Sequence, residues 1–152
     1  MADTKGQRDS LVINADADTI TKVLLDFESY PDWMSGVEET EVLKRDRRKR
    51  GTQVRFRVDA VLVKLNYVLS YSYEEEDAIE IGYVEGDLED TNARYEFKRL
   101  SDDRTEATYY FEVKYSLPKT LRGPLVGRLL KQVDKRVMKS ALRDLKSRVE
   151  SV

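Results

Sequence analysis

Two hydrophobic periods alternate along this chain, and each change of period marks a change of element. Leu11, Val12 and Ile13 centre a short strand over residues 8–14. Asp16 or Asp18 then offers an oxygen to cap a helix in which Ile20, Val23 and Leu24 recur at helical spacing. The stretch from Phe27 to Met34 predicts a second short helix ending near Gly36, with Ser29 able to cap it and Pro31 tolerated in its first turn. From Val37 to Tyr115 the period is two. Val54, Phe56, Val58 and Ala60 alternate with Gln53, Arg55, Arg57 and Asp59, the mark of a strand with one buried face. Leu65, Tyr67, Leu69, Tyr71 and Tyr73 share one side of the next strand. Ala93, Tyr95 and Phe97, then Ala107, Tyr109, Phe111, Val113 and Tyr115, repeat the pattern on either side of a turn at residues 101–104. With residues 37–44 and 78–84, six strands follow one another, which predicts an antiparallel meander. After Pro118 the period is helical again: Leu125, Leu129, Val133, Val137, Ala141, Leu145 and Val149 step by four, and Val126, Leu130, Met138 and Leu142 widen the stripe. A helix over residues 124–150, opened by Pro124, would be about 40 Å long, enough to cross the sheet.

The order strand, helix, short helix, meander, long helix predicts an α+β helix-grip fold, a curved antiparallel sheet closed on a C-terminal helix. A chain of 152 residues without linker, repeat or low-complexity tract predicts a single domain over residues 8–150, with a flexible N-terminus at residues 1–7. Hydrophobic residues at 40% supply a core, but charged residues at 37% are too many for a membrane protein, and runs such as residues 60–63 are far short of a span of about 20. No secretory signal opens the sequence, so a cytoplasmic location is expected. The absence of His and Cys excludes Ser-His-Asp triads, Cys-His proteases and the usual zinc sites. Catalysis would fall to carboxylates, Lys, Arg or Tyr, and no metal or cofactor is expected.

The net charge of -2 hides an uneven division. Residues 119–152 carry 10 Lys/Arg against 3 Asp/Glu, and the remainder carries 17 against 26. A basic block at residues 44–50 and acidic blocks at 74–77 and 85–90 fall where hairpin turns belong, and read as solvated loop tips or, alternatively, as docking points for an oppositely charged partner. Lys131, Lys135, Arg136, Lys139, Arg143 and Lys146 form the polar face of the long helix. That face is either simply solvated or a surface for an acidic partner or an anionic membrane, for whose peripheral contact Lys131, Lys135, Lys139 and Arg143 are the candidates. The acidic balance of the whole chain and the lack of a recognised motif argue against nucleic acid.

The stretch Asp26-Phe27-Glu28-Ser29-Tyr30-Pro31-Asp32-Trp33-Met34, after a capped helix and before a strand, resembles the Tyr-Pro-x-Trp signature of the polyketide cyclase/dehydrase and lipid-transport family. The resemblance extends to the strand opening Thr105-Glu106-Ala107-Thr108-Tyr109 and the closing helix at residues 141–146. It implies a START-like fold of the SRPBCC superfamily whose space between sheet and helix is a ligand pocket. Such families include polyketide cyclases, lipid and quinone carriers and hormone receptors, so the fold does not choose among these roles.

Alternation assigns the faces that would border such a pocket. Val54, Phe56 and Val58, then Tyr67, Leu69 and Tyr71, then Ala93, Tyr95 and Phe97, and finally Tyr109, Phe111 and Val113 face inward, closed by Leu129, Val133 and Val137. Either a packed core or a cavity would bury them, but several tyrosines on one face suit a cavity, because a buried hydroxyl needs a partner. Trp33 is expected near the cavity mouth or as a plug under the short helix. Asp26, Glu28 and Asp32 read as capping and surface groups, and Arg55, Arg57 and Asp59 belong to the outer face unless the register slips by one. No catalytic residue is assigned. The expected role is binding of a hydrophobic small molecule, such as a lipid, isoprenoid, quinone or aromatic polyketide-like compound, by a carrier or sequestering protein. The alternative is a polyketide cyclase or dehydratase acting in the same cavity.

Overall fold

The computed structural model describes residues 6–59, 64–115 and 123–151. Strand β1 (Gln7–Ile13) leads into helix α1 (Ala17–Leu25), a 3-10 turn (Phe27–Ser29) and the single-turn helix α2 (Tyr30–Trp33). Six strands follow: β2 (Val37–Arg45), β3 (Gly51–Asp59), β4 (Lys64–Ser72), β5 (Ala78–Gly86), β6 (Leu88–Ser101) and β7 (Arg104–Tyr115). Helix α3 (Pro124–Glu150) closes the chain. This is the α+β helix-grip that the hydrophobic periods predict.

Capping explains where the first helix starts and stops. Asp16, not Asp18, is the N-cap, its carboxylate accepting the Thr19 backbone N–H at 2.9 Å. At the other end the Tyr30 hydroxyl donates to the Leu24 carbonyl at 2.5 Å, satisfying one of the acceptors that a helix leaves unpaired in its last turn. Ser29 makes no side-chain cap to α2; its hydroxyl donates to Asp26 instead, at 2.7 Å.

The seven strands form one antiparallel sheet in the order β1-β7-β6-β5-β4-β3-β2, so the meander is extended by β1 pairing with the last strand. Gln7, expected in the flexible terminus, pairs with Phe111; residues 1–5 lie outside the described residues, as does Ala60 of the predicted third strand. Val68 faces Glu85 while Leu69 faces Tyr83, so Val84 is the extra residue of a bulge in β5; Gly86, at φ 132°, lies just beyond it opposite Tyr67. A Cβ there would come within 2.5 Å of the Asn66 carbonyl oxygen, so only glycine allows β5 to approach β4 this closely while the sheet bends.

The charged loop tips resolve into local ion pairs. Asp46, the one acid in the basic block, accepts from the backbone N–H groups of Arg48 and Arg50 and from the Arg50 side chain, holding the β2–β3 turn. Arg94 meets Glu75, Glu80 and Glu96 on the outer face of the sheet.

Ile13, Ile20, Leu24, Phe27, Leu142 and Leu145 are almost completely buried, so the dry core lies where α1 and the C-terminal half of α3 cover the sheet. Two further contacts secure that end: Lys146 donates to the Val12 carbonyl at 3.0 Å, and the Asn14 N–H donates to Glu150 at 3.0 Å. Lys146 is therefore half-buried and structural, not part of a solvated basic face. Among the described residues no helix is long and apolar enough to cross a membrane.

Candidate functional site: a tyrosine-lined cavity

Under the middle of α3 the packing changes. A cavity of about 410 Å³ separates the helix from the middle of the sheet, within the usual range of small-molecule sites. Its wall takes Phe56 and Val58 from β3, Tyr67, Leu69 and Tyr71 from β4, and Tyr95 from β6. Tyr109 and Phe111 of β7 continue it, and Val133 and Val137 of α3 form the roof. These ten positions, assigned inward by alternation, are brought together. Tyr67, Leu69 and Phe111 remain only half-buried although they face the helix, because space and not packed side chains lies above them.

Four positions assigned to the wall or its mouth stand elsewhere, the first being Val54, fully buried in the dry core. Phe97 shares the face of Tyr95 and stacks on it at 6.4 Å, but belongs to the dry core, where α1 fills the space. Leu129 lies a turn too early on α3. Each step of four residues advances about 40° beyond a full turn, so a row of leucines and valines winds around the helix, from Leu125 at 69% exposure to the fully buried Leu145. Trp33 packs edge-on against Tyr30 at 5.1 Å, outside the wall, with its indole N–H buried and without a hydrogen-bond partner among the described residues.

The same winding places groups that alternation missed. Asp134, absent from the assigned stripe, is fully buried and accepts a 2.5 Å hydrogen bond from Tyr115, whose hydroxyl is pushed well above its ordinary range by burial and then by this carboxylate. Arg136, assigned to the solvated face, borders the cavity between Val133 and Ser140. Asp59, assigned to the outer face, is the last residue of β3 and borders the mouth, while Arg55 stays outside and pairs with Glu41 at 2.9 Å. Ser35, Gly36, Asp59 and Arg136 are the exposed lining residues, so the mouth lies where the α2–β2 turn, the end of β3 and α3 meet. The Ser35 N–H donates to Asp144 at 2.9 Å and ties that turn to the helix. Asp26, Glu28 and Asp32 do not line the cavity; Glu28 pairs with Arg45.

The six tyrosines of the lining divide into two sets. Tyr30 and Tyr115 spend their hydroxyls on Leu24 and Asp134, as Tyr73 outside the lining does on Gly51. Tyr67, Tyr71, Tyr95 and Tyr109 line the cavity, and their hydroxyls have no hydrogen-bond partner among the described residues. Burial raises all four above the ordinary phenol value of 10.0, aided in Tyr71 and Tyr109 by neighbouring tyrosines, so each is a neutral donor and not a base. Ring contacts fix them: Phe56 stacks on Tyr67 at 5.8 Å, and Tyr95 meets Tyr109 at 4.7 Å. Among the described residues no cluster of three acidic side chains is placed to hold a metal ion.

Comparison with known proteins places this architecture. A START superfamily protein from Mycobacterium smegmatis superposes with a TM-score of 0.81 at 25% identity, covering 96% of this chain and 97% of that one. The Zhui aromatase/cyclase from Streptomyces sp. R1128 gives 0.82 at 16% identity over 96% and 93% of the two chains. Ginseng major latex-like protein 151 from Panax ginseng gives 0.65 at 12% over 95% and 96%. No curated protein matches the chain. The model of the family described as polyketide cyclase / dehydrase and lipid transport matches residues 13–146, nearly the whole chain. With its sheet, gripped helix and mouth as described, the chain is a START-like domain of hydrophobic ligand-binding or polyketide cyclase type and belongs to that family.

Proposed function

We propose that this protein encloses a hydrophobic small molecule, of the lipid, isoprenoid, quinone or aromatic polyketide-like kind, as a carrier or sequestering protein. The observation that carries the reading is the set of four cavity hydroxyls without a protein partner, on a wall whose other hydroxyls away from the mouth, those of Tyr30, Thr91, Tyr115 and Ser140, bond to the protein. In a closed core each would cost about 1–3 kcal/mol, a cost that a ligand or water in the cavity removes. Native mass spectrometry followed by organic extraction tests it: a stoichiometric apolar ligand is expected. A protein that carries nothing and takes up no member of a lipid and aromatic panel refutes it.

A catalytic reading draws on the likeness to the Zhui aromatase/cyclase. In that reading the neutral tyrosines would orient and polarise carbonyls of a folded polyketide, and positioning would supply the acceleration. Since burial raises Tyr67, Tyr71, Tyr95 and Tyr109, deprotonation would need another group. Turnover of a polyketide substrate that survives Tyr67→Phe, Tyr95→Phe and Tyr109→Phe unchanged would remove tyrosine from that mechanism. For delivery, we propose that the exposed Lys131, Lys135, Lys139 and Arg143 touch an anionic bilayer. Vesicle co-sedimentation should then weaken with salt and with Lys→Glu changes at these positions.

A further inference from the structure

The cavity carries charge only at its mouth, and the two charged residues there differ. Asp59 is engaged in an interaction of its own. Arg136 has no carboxylate partner among the described residues, and what sets it apart from other exposed arginines without one, such as Arg57 and Arg128, is its place on the cavity lining. Its neighbours one turn away on α3 are Gln132, Val133, Lys139 and Ser140, none of them acidic. The Ser140 hydroxyl, also on the lining, leans back to the Val137 carbonyl at 3.3 Å, and Ser35 across the mouth holds Asp144 through its backbone. An unpaired guanidinium therefore stands at the boundary between solvent and an apolar chamber. The exposed Lys135 and Lys139 beside it add positive potential and no competing anion.

We infer that the ligand is an acidic amphiphile: an apolar body fills the chamber between Tyr67, Tyr95 and Tyr109, and one terminal carboxylate or phosphate is held by Arg136 at the mouth. This rests on the ligand-binding reading above and adds the head group to it. A guanidinium presents paired N–H donors to two oxygens of such a group, which fixes the orientation of the ligand as well as its sign. The tail enters first, and the anion stays at the rim, where its hydration is only partly lost.

Calorimetric titration with decanoic acid, 1-decanol and decyltrimethylammonium tests this, because the three share a tail and differ in head charge. The acid is expected to bind about tenfold more tightly than the alcohol, the low end for a charge-assisted hydrogen bond because Arg136 is exposed. The ammonium compound should be weakest. Arg136→Gln should abolish the preference for the acid while leaving the alcohol unchanged; Lys98→Gln, an exposed change away from the lining, should retain it. Dihexanoyl phosphatidylglycerol separates the sources: competition with decanoate that depends on Arg136 points to a lipid head group, and its failure beside decanoate binding points to a free acid. Equal binding of acid and alcohol, tightest binding of the ammonium compound, or a preference that survives Arg136→Gln or disappears equally with Lys98→Gln would overturn the inference while leaving the cavity reading intact. Failure of all three compounds to bind would overturn both.

Discussion

Replacing Tyr109 by Phe removes a hydroxyl and keeps the ring that meets Tyr95 at 4.7 Å. Since that hydroxyl has no partner among the described residues, the substitution breaks no protein hydrogen bond, and the expected change in stability of the ligand-free protein is between zero and a gain of about 1 kcal/mol. Tyr67→Phe, Tyr71→Phe and Tyr95→Phe should behave alike. Tyr30→Phe removes the same atom from a residue of similar burial, but there the hydroxyl donates to the buried Leu24 at 2.5 Å. Losing a net bond of about 0.5–1.5 kcal/mol and stranding the carbonyl should cost about 2 kcal/mol in total. Urea unfolding of the five variants resolves such a gap, since it shifts the midpoint by about 1 M at the slopes usual for small domains. If the cavity variants lost as much as Tyr30→Phe, their hydroxyls would have protein partners and the chamber would be a hydrogen-bonded core. Binding should sort the variants the other way, with Tyr30→Phe the least affected.

The bend in the sheet makes a second prediction: Gly86→Ala, forced against Tyr67 and Asn66 at a φ that side chains rarely adopt, should cost about 3 kcal/mol by the same unfolding assay and blunt ligand uptake. Burial holds Tyr30, Tyr67, Tyr71, Tyr95 and Tyr109 above 10.0, so their contribution to stability is whole below pH 10 and is lost as pH rises through the folded values. Tyrosinate absorbance from these residues should appear only with unfolding; smooth titration in the folded state would contradict the burial. The Asn14 N–H, with Lys146, holds the Glu150 carboxyl below its ordinary 4.5, so the tie between β1 and α3 is fully present above that pH and is lost as pH falls through the lower folded value. Glu150→Gln should flatten the acid limb of a pH–stability profile and leave the alkaline limb unchanged.

Alternation read the strands well because each has one face on the concave side: Phe56, Tyr67, Tyr95 and Tyr109 are separated in sequence yet share the wall. What local period could not say is where on that wall packing ends and space begins. Tyr95 and Phe97 look identical to it, and only α1 lying over Phe97 separates cavity from core. On α3 the difficulty was geometric. A four-residue step hides the drift of a 3.6-residue helix, which conceals Arg136 and Asp134, whereas Leu129 shares the side of Arg136 and misses the cavity only by lying a turn before it. A count at 100° per residue would have put Arg136 beside Val133. The pairing of β1 with β7 left no local signal at all, since it joins residues about a hundred positions apart.

The long helix is held like a door hung from one jamb. Its last turns are fixed by Lys146 on Val12, Glu150 on Asn14 and the buried Leu142 and Leu145, whereas none of the residues from Pro124 to Leu129 is buried, and a side chain at Gly127 would meet nothing within 4 Å among the described residues. Swinging the first turns outward would therefore disturb few packed atoms as far as Leu130 and Asp134, which are buried, whereas moving the far end would break the core. A tilt that widened the chamber from this end would give up the bond from Tyr115 to Asp134 and yet melt no strand.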